Sequence, residues 1–462
     1  MYKKIFILFI LLIYQPNLQS KEVEKNNFNQ KYLYNYFSAL VSSNNQNNNN
    51  ALKHFNLSKH LLQTHENFLK NYVLALVENN QLQKATNEIK KMQDKKNTKF
   101  FESGVLLIVE AINRNNFSEA KEHLSKLDNI ESDDTFELII KETLYTYINL
   151  FLEKKIHKIK GDFGRLNLIT ESFQQCYLNN QKSIQYFKAL LENEEKDYSR
   201  YLFFYFLNLI ENSDFNTAKD ISSRINTLNS SLIVFQSKQW IDNGEFSNFS
   251  KFFSCDNPSD LLSEFFFLVS NLYSSQEIYG KSNFYMFLSI NLNKKFYFNN
   301  SLLAENYFQN KNYKKTGFFL DKLKKDDYAY NWFKIKRKAQ IIYNQEDMEQ
   351  SIKYIEKELS YYKNPDNKIL FDTANIYKNF KKYEKSIEFY NKVLNNIKVT
   401  NSVSYADVLY RRASSYERLG NYKKSDKDLI QSLKIMPDEP YVLNYLAYSW
   451  LERNINIDEA IK

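Results

Sequence analysis

Residues 405–439 read YADVLYRRASSYERLGNYKKSDKDLIQSLKIMPDE, and the way this stretch divides decides the fold. A first helical run carries Ala413 and, three residues on, Tyr416; the turn Leu419-Gly420-Asn421-Tyr422 interrupts it. A second run carries Ser425 and Ser432, and Pro437 closes the unit because proline cannot continue a helix. Two helices that each present a small side chain can approach closely, and the aromatic after the turn is expected to plug the gap between them.

The pattern recurs outward from this unit. Small residues fall at Ala304, Ala339, Ala374, Ala413 and Ala447, with spacings of 35, 35, 39 and 34. Twelve residues after the first four come Thr316, Ser351, Ser386 and Ser425; Ala460 comes thirteen after the fifth. Tyr307, Tyr377 and Tyr416 keep the same phase, as do Tyr313, Tyr383 and Tyr422. One such hairpin cannot bury its apolar face alone, so it must stack on copies of itself.

These units resemble tetratricopeptide repeats, with the small–Tyr…Tyr–small…Pro pattern carried by Ala413, Tyr416, Tyr422, Ser425, Ser432 and Pro437. The last unit, Tyr441 to Trp450 followed by Asp458-Glu459-Ala460, resembles units of exported alphaproteobacterial tetratricopeptide proteins. The resemblance implies an all-α fold, a right-handed superhelix of helical hairpins that binds other proteins. The last unit stops at Lys462, inside its second helix, so a truncated repeat or a cap supplied by something else is expected.

Upstream the phase weakens. Ala51, Ala85 and Ala120 are spaced 34 and 35 and each opens a second-helix pattern, and Phe215 to Ala218 repeats it once more. Apolar runs at Thr135–Leu152, Tyr201–Ile210 and Leu261–Leu272 read as helices. The expected organisation is a signal peptide over 1–20, divergent tetratricopeptide-like hairpins over 21–128, degenerate helical repeats over 129–296 and a regular array over 297–462. A separate helical domain in the middle is the alternative. Asn44–Asn50 reads as a loop between hairpins.

Composition supports helices. Only 7 Gly and 5 Pro occur in 462 residues, too few for a turn-rich sheet protein. The formal charge of +9 falls to +7 without Lys3 and Lys4, a weak field for so long a chain and no match for a nucleic-acid-binding face. Lys3-Lys4, the apolar run Ile5–Tyr14 and a polar stretch ending at Ser20 have the layout of a secretory signal. Export, to the periplasm, is therefore expected; an uncleaved inner-membrane anchor is the alternative, and any other membrane contact would come through partners. Cys176 and Cys255 lie 79 residues apart, and a bond between them is left open.

A search for chemistry returns little. No phosphate-cradling glycine loop is present. Gly161-Asp162-Phe163-Gly164 lacks the other kinase elements, and Glu171-Ser172 alone does not make a lytic transglycosylase. His54, His60, His65, His123 and His157 show no metal-ligand spacing. No catalytic residue, metal or cofactor is assigned. The basic clusters Lys90–Lys99, Lys154–Lys160 and Lys334–Lys338 read as solvated helix faces.

The sequence thus points to a non-enzymatic scaffold or adaptor whose partners are other proteins. The alternative is the helical part of an envelope enzyme whose catalytic domain lies beyond Lys462 or on another subunit. Counted by phase, one face of the first helices carries Lys336, Gln340, Phe371, Asn375, Lys378, Tyr410, Ser414, Arg418, Asn444 and Tyr448, a surface suited to an extended peptide or a helix. Some tetratricopeptide domains clamp a chain-terminal carboxylate with Lys and Asn. Here Asp372 and Asp407 stand where Asn and Lys are wanted, so that clamp is not expected.

Overall fold

A computed structural model describes residues 30–65, 67–92, 99–128, 135–180, 182–192, 200–397 and 402–461. The expected signal peptide lies outside the described residues, as does Lys462. Among the described residues there are helices and turns but no strand, and the chain divides into two compact units between Leu106 and Leu107.

The first unit contains two hairpins, Gln30–Asn44 with Asn48–Leu57 and Phe68–Glu78 with Leu82–Lys91. Ala51 and Ala85 are fully buried in the second helix of each. Tyr36, Phe55, Phe68 and Tyr72 fill the space beside them with tilted and edge-on ring contacts. The Asn-rich tract is not a loop between hairpins. It supplies the tight turn of the first hairpin, and Asn48–Asn50 already belong to the second helix.

The second unit holds the expected middle and C-terminal segments together. Its middle helices include Thr135–Glu153, Arg165–Tyr177, Tyr201–Glu211, Phe215–Arg224, Leu232–Asp242, Pro258–Ser275 and Tyr279–Leu292. Asn300–Gln309 with Tyr313–Leu320, Tyr328–Gln345 with Met348–Leu359, Asn367–Asn379 with Tyr383–Asn396, Val403–Arg418 with Tyr422–Ile435, and Pro440–Glu452 with Ile457–Ile461 follow as paired helices.

One turn geometry is repeated from end to end. Asn80, Asn115, Ser213, Glu277, Lys311 and Lys381 all adopt φ between 54° and 61°, and Gly420 adopts 72° at the same place. In each turn the next amide reaches back to the carbonyl five residues earlier, as Asn312 does to Tyr307 and Lys382 to Tyr377, both at 2.8 Å. This closure satisfies carbonyls that the helix end leaves open. Asx side chains then cap the second helix: Asn116, Asp214, Asn312 and Asn421 each accept from an amide three residues on.

The small-residue reading is realised in the packing. Ala304, Ala339, Ala374 and Ala413 are fully buried, as are Thr316, Ser351, Ser386 and Ser425. Ser351 Oγ donates to the Ala339 carbonyl at 2.7 Å, so one helix touches the backbone of the other. The hairpin Pro258–Ser275/Tyr279–Leu292 achieves the same contact with serines alone. Ser263 and Ser289 exchange hydroxyl-to-carbonyl bonds at 2.8 and 2.7 Å, and Ser270 and Ser282 do so at 2.8 Å each. Adjacent hairpins close one core: Trp332, Ile335 and Ile355 pack with Ile369, Ile376 and Phe380 of the next pair.

Some positions differ from expectation. The aromatic that fills each hairpin is the one before the turn. Tyr307 is fully buried and stacked on Phe319 at 5.4 Å, and Tyr377 is buried against Phe389. Tyr313 and Tyr383 after the turn are half-buried, and Tyr422 is exposed beneath the Arg453 guanidinium. A second helix leaves its first turn at the hairpin's edge, where a long ring slides outward and does not wedge between helices. Tyr416 is half-buried, Pro437 is exposed just past its helix, and Ala447 and Ala460 are half-buried.

Cys176 and Cys255 form a disulfide with 5.6 Å between their Cα atoms, tying the helix Arg165–Tyr177 to the loop before Pro258. Both are buried. Nearby Arg200 forms a paired hydrogen bond with Glu264, both contacts at 2.7 Å, with its guanidinium over Phe267. The degenerate region therefore keeps the close hairpin contact through serines and adds a covalent bond and a buried ion pair.

Candidate partner-binding wall

Four first helices, Tyr328–Gln345, Asn367–Asn379, Val403–Arg418 and Pro440–Glu452, carry the ten residues expected to face a partner. Lys336 donates to Asp372 at 3.0 Å, and Gln340 accepts from Arg337 at 2.7 Å. Asn375 accepts from the Tyr390 hydroxyl at 2.6 Å, and Tyr410 meets Tyr445 edge-on at 5.7 Å. Arg418 and Asn444 are exposed, and Tyr448 is 64% exposed. Lys378 is half-buried, and its ammonium makes no hydrogen bond or ion pair with a described residue.

Two of the ten do not face solvent. Ser414 is buried, with its hydroxyl turned back to the Arg411 carbonyl at 2.8 Å. Phe371 is 7% exposed because the chain itself covers it. Leu228 joins the cluster formed by Leu370, Phe371, Ala374, Val408 and Leu409. The polar residues around it follow. Thr227 donates to Asp366 at 2.7 Å, Lys368 donates to the Leu228 carbonyl at 2.9 Å, and Asn226 bonds the Ser404 hydroxyl. The helix that continues from this loop does the same one repeat earlier, where Gln236 accepts from the Ala329 amide at 2.9 Å and Phe235 meets Tyr328 edge-on.

The N-terminal ends of three successive first helices are thus occupied in cis; toward their C-terminal ends Lys378 is half-buried and Arg418 exposed. Sequence reading missed this because Leu228 stands alone in Asn226-Thr227-Leu228-Asn229-Ser230-Ser231. A lone leucine in a polar run was the only signal available.

Charge is distributed unevenly over the wall. Asp372 is taken by Lys336 and by the Trp332 indole at 2.9 Å, and Asp407 by Arg411 at 3.0 and 3.1 Å. The two carboxylates that exclude the terminal-carboxylate clamp are therefore each held by cations. The cluster Lys334–Lys338 is paired as well: Lys334 and Lys338 with Asp321, Lys336 with Asp372, Arg337 with Glu305. Lys378 differs. Burial, together with repulsion from Arg411 and Arg418 that outweighs attraction from Asp407, pushes its ammonium down to about 8.

The other motifs are consumed by structure. Glu171 accepts from Tyr186, and Ser172 is buried and bonded to the Leu168 carbonyl. Asp162 caps the turn at Gly164. His54 bonds Asn35, His60 and His65 pack on Tyr32 and Tyr36, and His123 and His157 each lie beside a glutamate one turn away. Lys155 pairs with Glu153, and Lys154 lies over the Tyr177 ring. Among the described residues no cluster of three or more His, Cys, Asp and Glu could hold a metal.

Comparison with known proteins bears on the hairpins. No curated protein matches the chain. Its arrangement is similar to the crystal structure of the APC/C Cut9–Hcn1 hetero-tetramer, at 13% identity and a TM-score of 0.34, over 94% of this chain and 86% of that one. It is also similar to the crystal structure of yeast Tom70, at 12% identity and a TM-score of 0.35, over 93% and 97%. At those scores neither bears on partner or mechanism. The family profile described as tetratricopeptide repeat matches residues 368–396 and 406–439. These spans cover the second and third hairpins of the wall, so the protein carries tetratricopeptide repeats at its candidate site.

Proposed function

We propose that this protein is an exported scaffold that holds segments of other proteins in the cell envelope, against the C-terminal halves of its first helices. The observation that carries the reading is Lys378. In a wall where Lys336, Arg337, Lys338 and Arg411 are each paired with a carboxylate, Lys378 is half-buried and unpaired. A cation kept partly out of water with no ion pair among the described residues is unfavourable unless something completes it. On the first helices that follow, Arg418 and Tyr448 are exposed, and arginine and tyrosine are enriched at protein interfaces.

The disulfide supports export. Structural disulfides persist in oxidising compartments and are rare in reducing ones, and the Cys176–Cys255 bond accords with the signal-like N-terminus. No helix among the described residues is long and apolar enough to cross a membrane.

The test is capture from envelope extract with the full chain, comparing wild type with Lys378→Glu/Arg418→Glu. Loss of a defined set of proteins, with helicity unchanged, supports the wall. Unchanged capture by the folded double variant contradicts it.

A further inference from the structure

The first unit has an exposed face of its own. On its first helix, Gln30–Asn44, the residues Asn35, Tyr36 and Ala39 are buried in the hairpin. Tyr34, Phe37 and Val41, at spacings of three and four, form a stripe on the other side and are 69, 56 and 59% exposed. Large apolar side chains exposed singly are ordinary, but three in one helical stripe are not scattered. The stripe has a firm backing. Phe37 meets the ring of Tyr36, which is buried against Phe55, Phe68 and the His65 ring.

Charge decides what such a face can meet. Residues 30–106 hold ten lysines against five acidic residues, whereas residues 107–462 hold 49 basic and 47 acidic residues. Folding sharpens the imbalance. Glu88 is buried and paired with Lys59 and Lys91, Glu102 is buried and paired with Lys70, and Glu78 is half-buried. Among the described residues of this unit, every exposed Lys, Arg, Asp or Glu is a lysine: Lys31, Lys53, Lys84, Lys91 and Lys99. The second unit differs. Its exposed Tyr441, Leu443, Tyr448 and Leu451 share their stretch of chain with exposed Asp438 and Glu452.

We infer that the first unit docks on an anionic lipid surface, with Tyr34, Phe37 and Val41 inserted and the lysines against the headgroups. A helix lying in the plane of a bilayer buries its apolar side at the boundary between headgroups and acyl chains. Tyrosine is at home at that level, and each lysine near the surface adds attraction to anionic lipid. Three side chains alone offer a small apolar area, and lysines alone give a contact that salt dissolves. Together they hold. A lipid surface accepts the rings without a shaped pocket, which an acidic protein would have to supply. Membrane contact then belongs to this chain itself and not only to its partners.

The experiment uses the full chain carrying Asn44→Cys, one turn past Val41, labelled with a polarity-sensitive dye; Cys176 and Cys255 are taken up by their bond. Vesicles of phosphatidylcholine are compared with vesicles of equal parts phosphatidylcholine and phosphatidylglycerol. The expected result is blue-shifted, brighter emission on the anionic vesicles at 0.15 M salt, with binding to neutral vesicles about tenfold weaker or less. Tyr34→Ser/Phe37→Ser and Lys53→Glu/Lys84→Glu should each weaken anionic binding about tenfold at unchanged helicity. Tyr441→Ser should leave it as it is. Equal binding to neutral and anionic vesicles, or indifference to both double variants, overturns the inference. So does a dye response to soluble polyglutamate with none to vesicles, which assigns the face to an acidic protein. The wall is read separately, by envelope capture that depends on Lys378 and Arg418, so either reading can fail while the other stands.

Discussion

The Lys368 ammonium donates to the Leu228 carbonyl at 2.9 Å across 140 residues of sequence. The contact fixes a loop from the degenerate middle of the chain onto the most regular repeats. It covers the N-terminal ends of these first helices, so in the proposed reading a partner sits toward their C-terminal ends. Lys368 is held below its ordinary lysine range chiefly by burial under this loop.

Leu228 is the anchor of that contact, buried among Leu370, Phe371, Val408 and Leu409. Leu228→Ala removes it and leaves a cavity that helices on either side cannot fill, at a cost of about 2–3 kcal/mol. Hydrogen exchange should quicken in Asn367–Asn379 and Val403–Arg418 before it does elsewhere. Unchanged exchange in both helices would show that the loop merely rests on the wall.

The hairpin contact predicts intolerance at the small positions. Ala339 is fully buried and its carbonyl accepts from Ser351 at 2.7 Å, which leaves no space for a longer side chain. Ala339→Leu should destabilise by about 1–3 kcal/mol through overpacking, seen as a lower thermal midpoint by circular dichroism. Ala447→Leu, at the half-buried equivalent, should cost less. Equal costs would sink the packing explanation.

That contrast shows what was legible in the sequence. The small-residue phase at Ala304, Ala339, Ala374 and Ala413 was readable because each small side chain fits one backbone approach. The same approach made by Ser270–Ser282 keeps that phase, 34 residues before Ala304 and 12 apart, but went unread because serine stands where the other units carry alanine. The recurring left-handed turn was hidden for a related reason. Asn80, Ser213, Glu277 and Lys381 share a φ but no side chain. Of the wall, residues such as Arg418 and Tyr448 followed from helical phase alone, whereas burial of Phe371 depended on a loop that no local pattern links to it.

The Cys176–Cys255 bond closes a loop of 79 residues in the region with the weakest repeat phase. Replacing both cysteines by serine should lower stability by about 2–4 kcal/mol, mainly by freeing the unfolded chain. Denaturant titration with and without reductant checks this. A midpoint insensitive to reductant in wild type would mean that the bond contributes nothing.

Lys378 predicts a pH-dependent difference. Its folded value of about 8 lies below the unfolded value near 10.5, so between them the unfolded chain binds more protons and stability rises with pH. Lys378→Met removes that term. At pH 7 the variant should be the more stable by about 1 kcal/mol after allowance for solvent screening. The gap should close by about pH 10. A gap that is constant with pH would place the ammonium in water.

The central claim is that partners meet the open half of the first-helix wall. It is tested most directly by placing a photo-crosslinking amino acid at Arg418 or Asn444, and separately at Lys392 or Lys427 on the second helices, in the full chain in living cells. The account predicts discrete protein adducts from Arg418 and Asn444 and none of the same mass from Lys392 and Lys427. Adducts that arise equally from both faces, or only from the second helices, would contradict it.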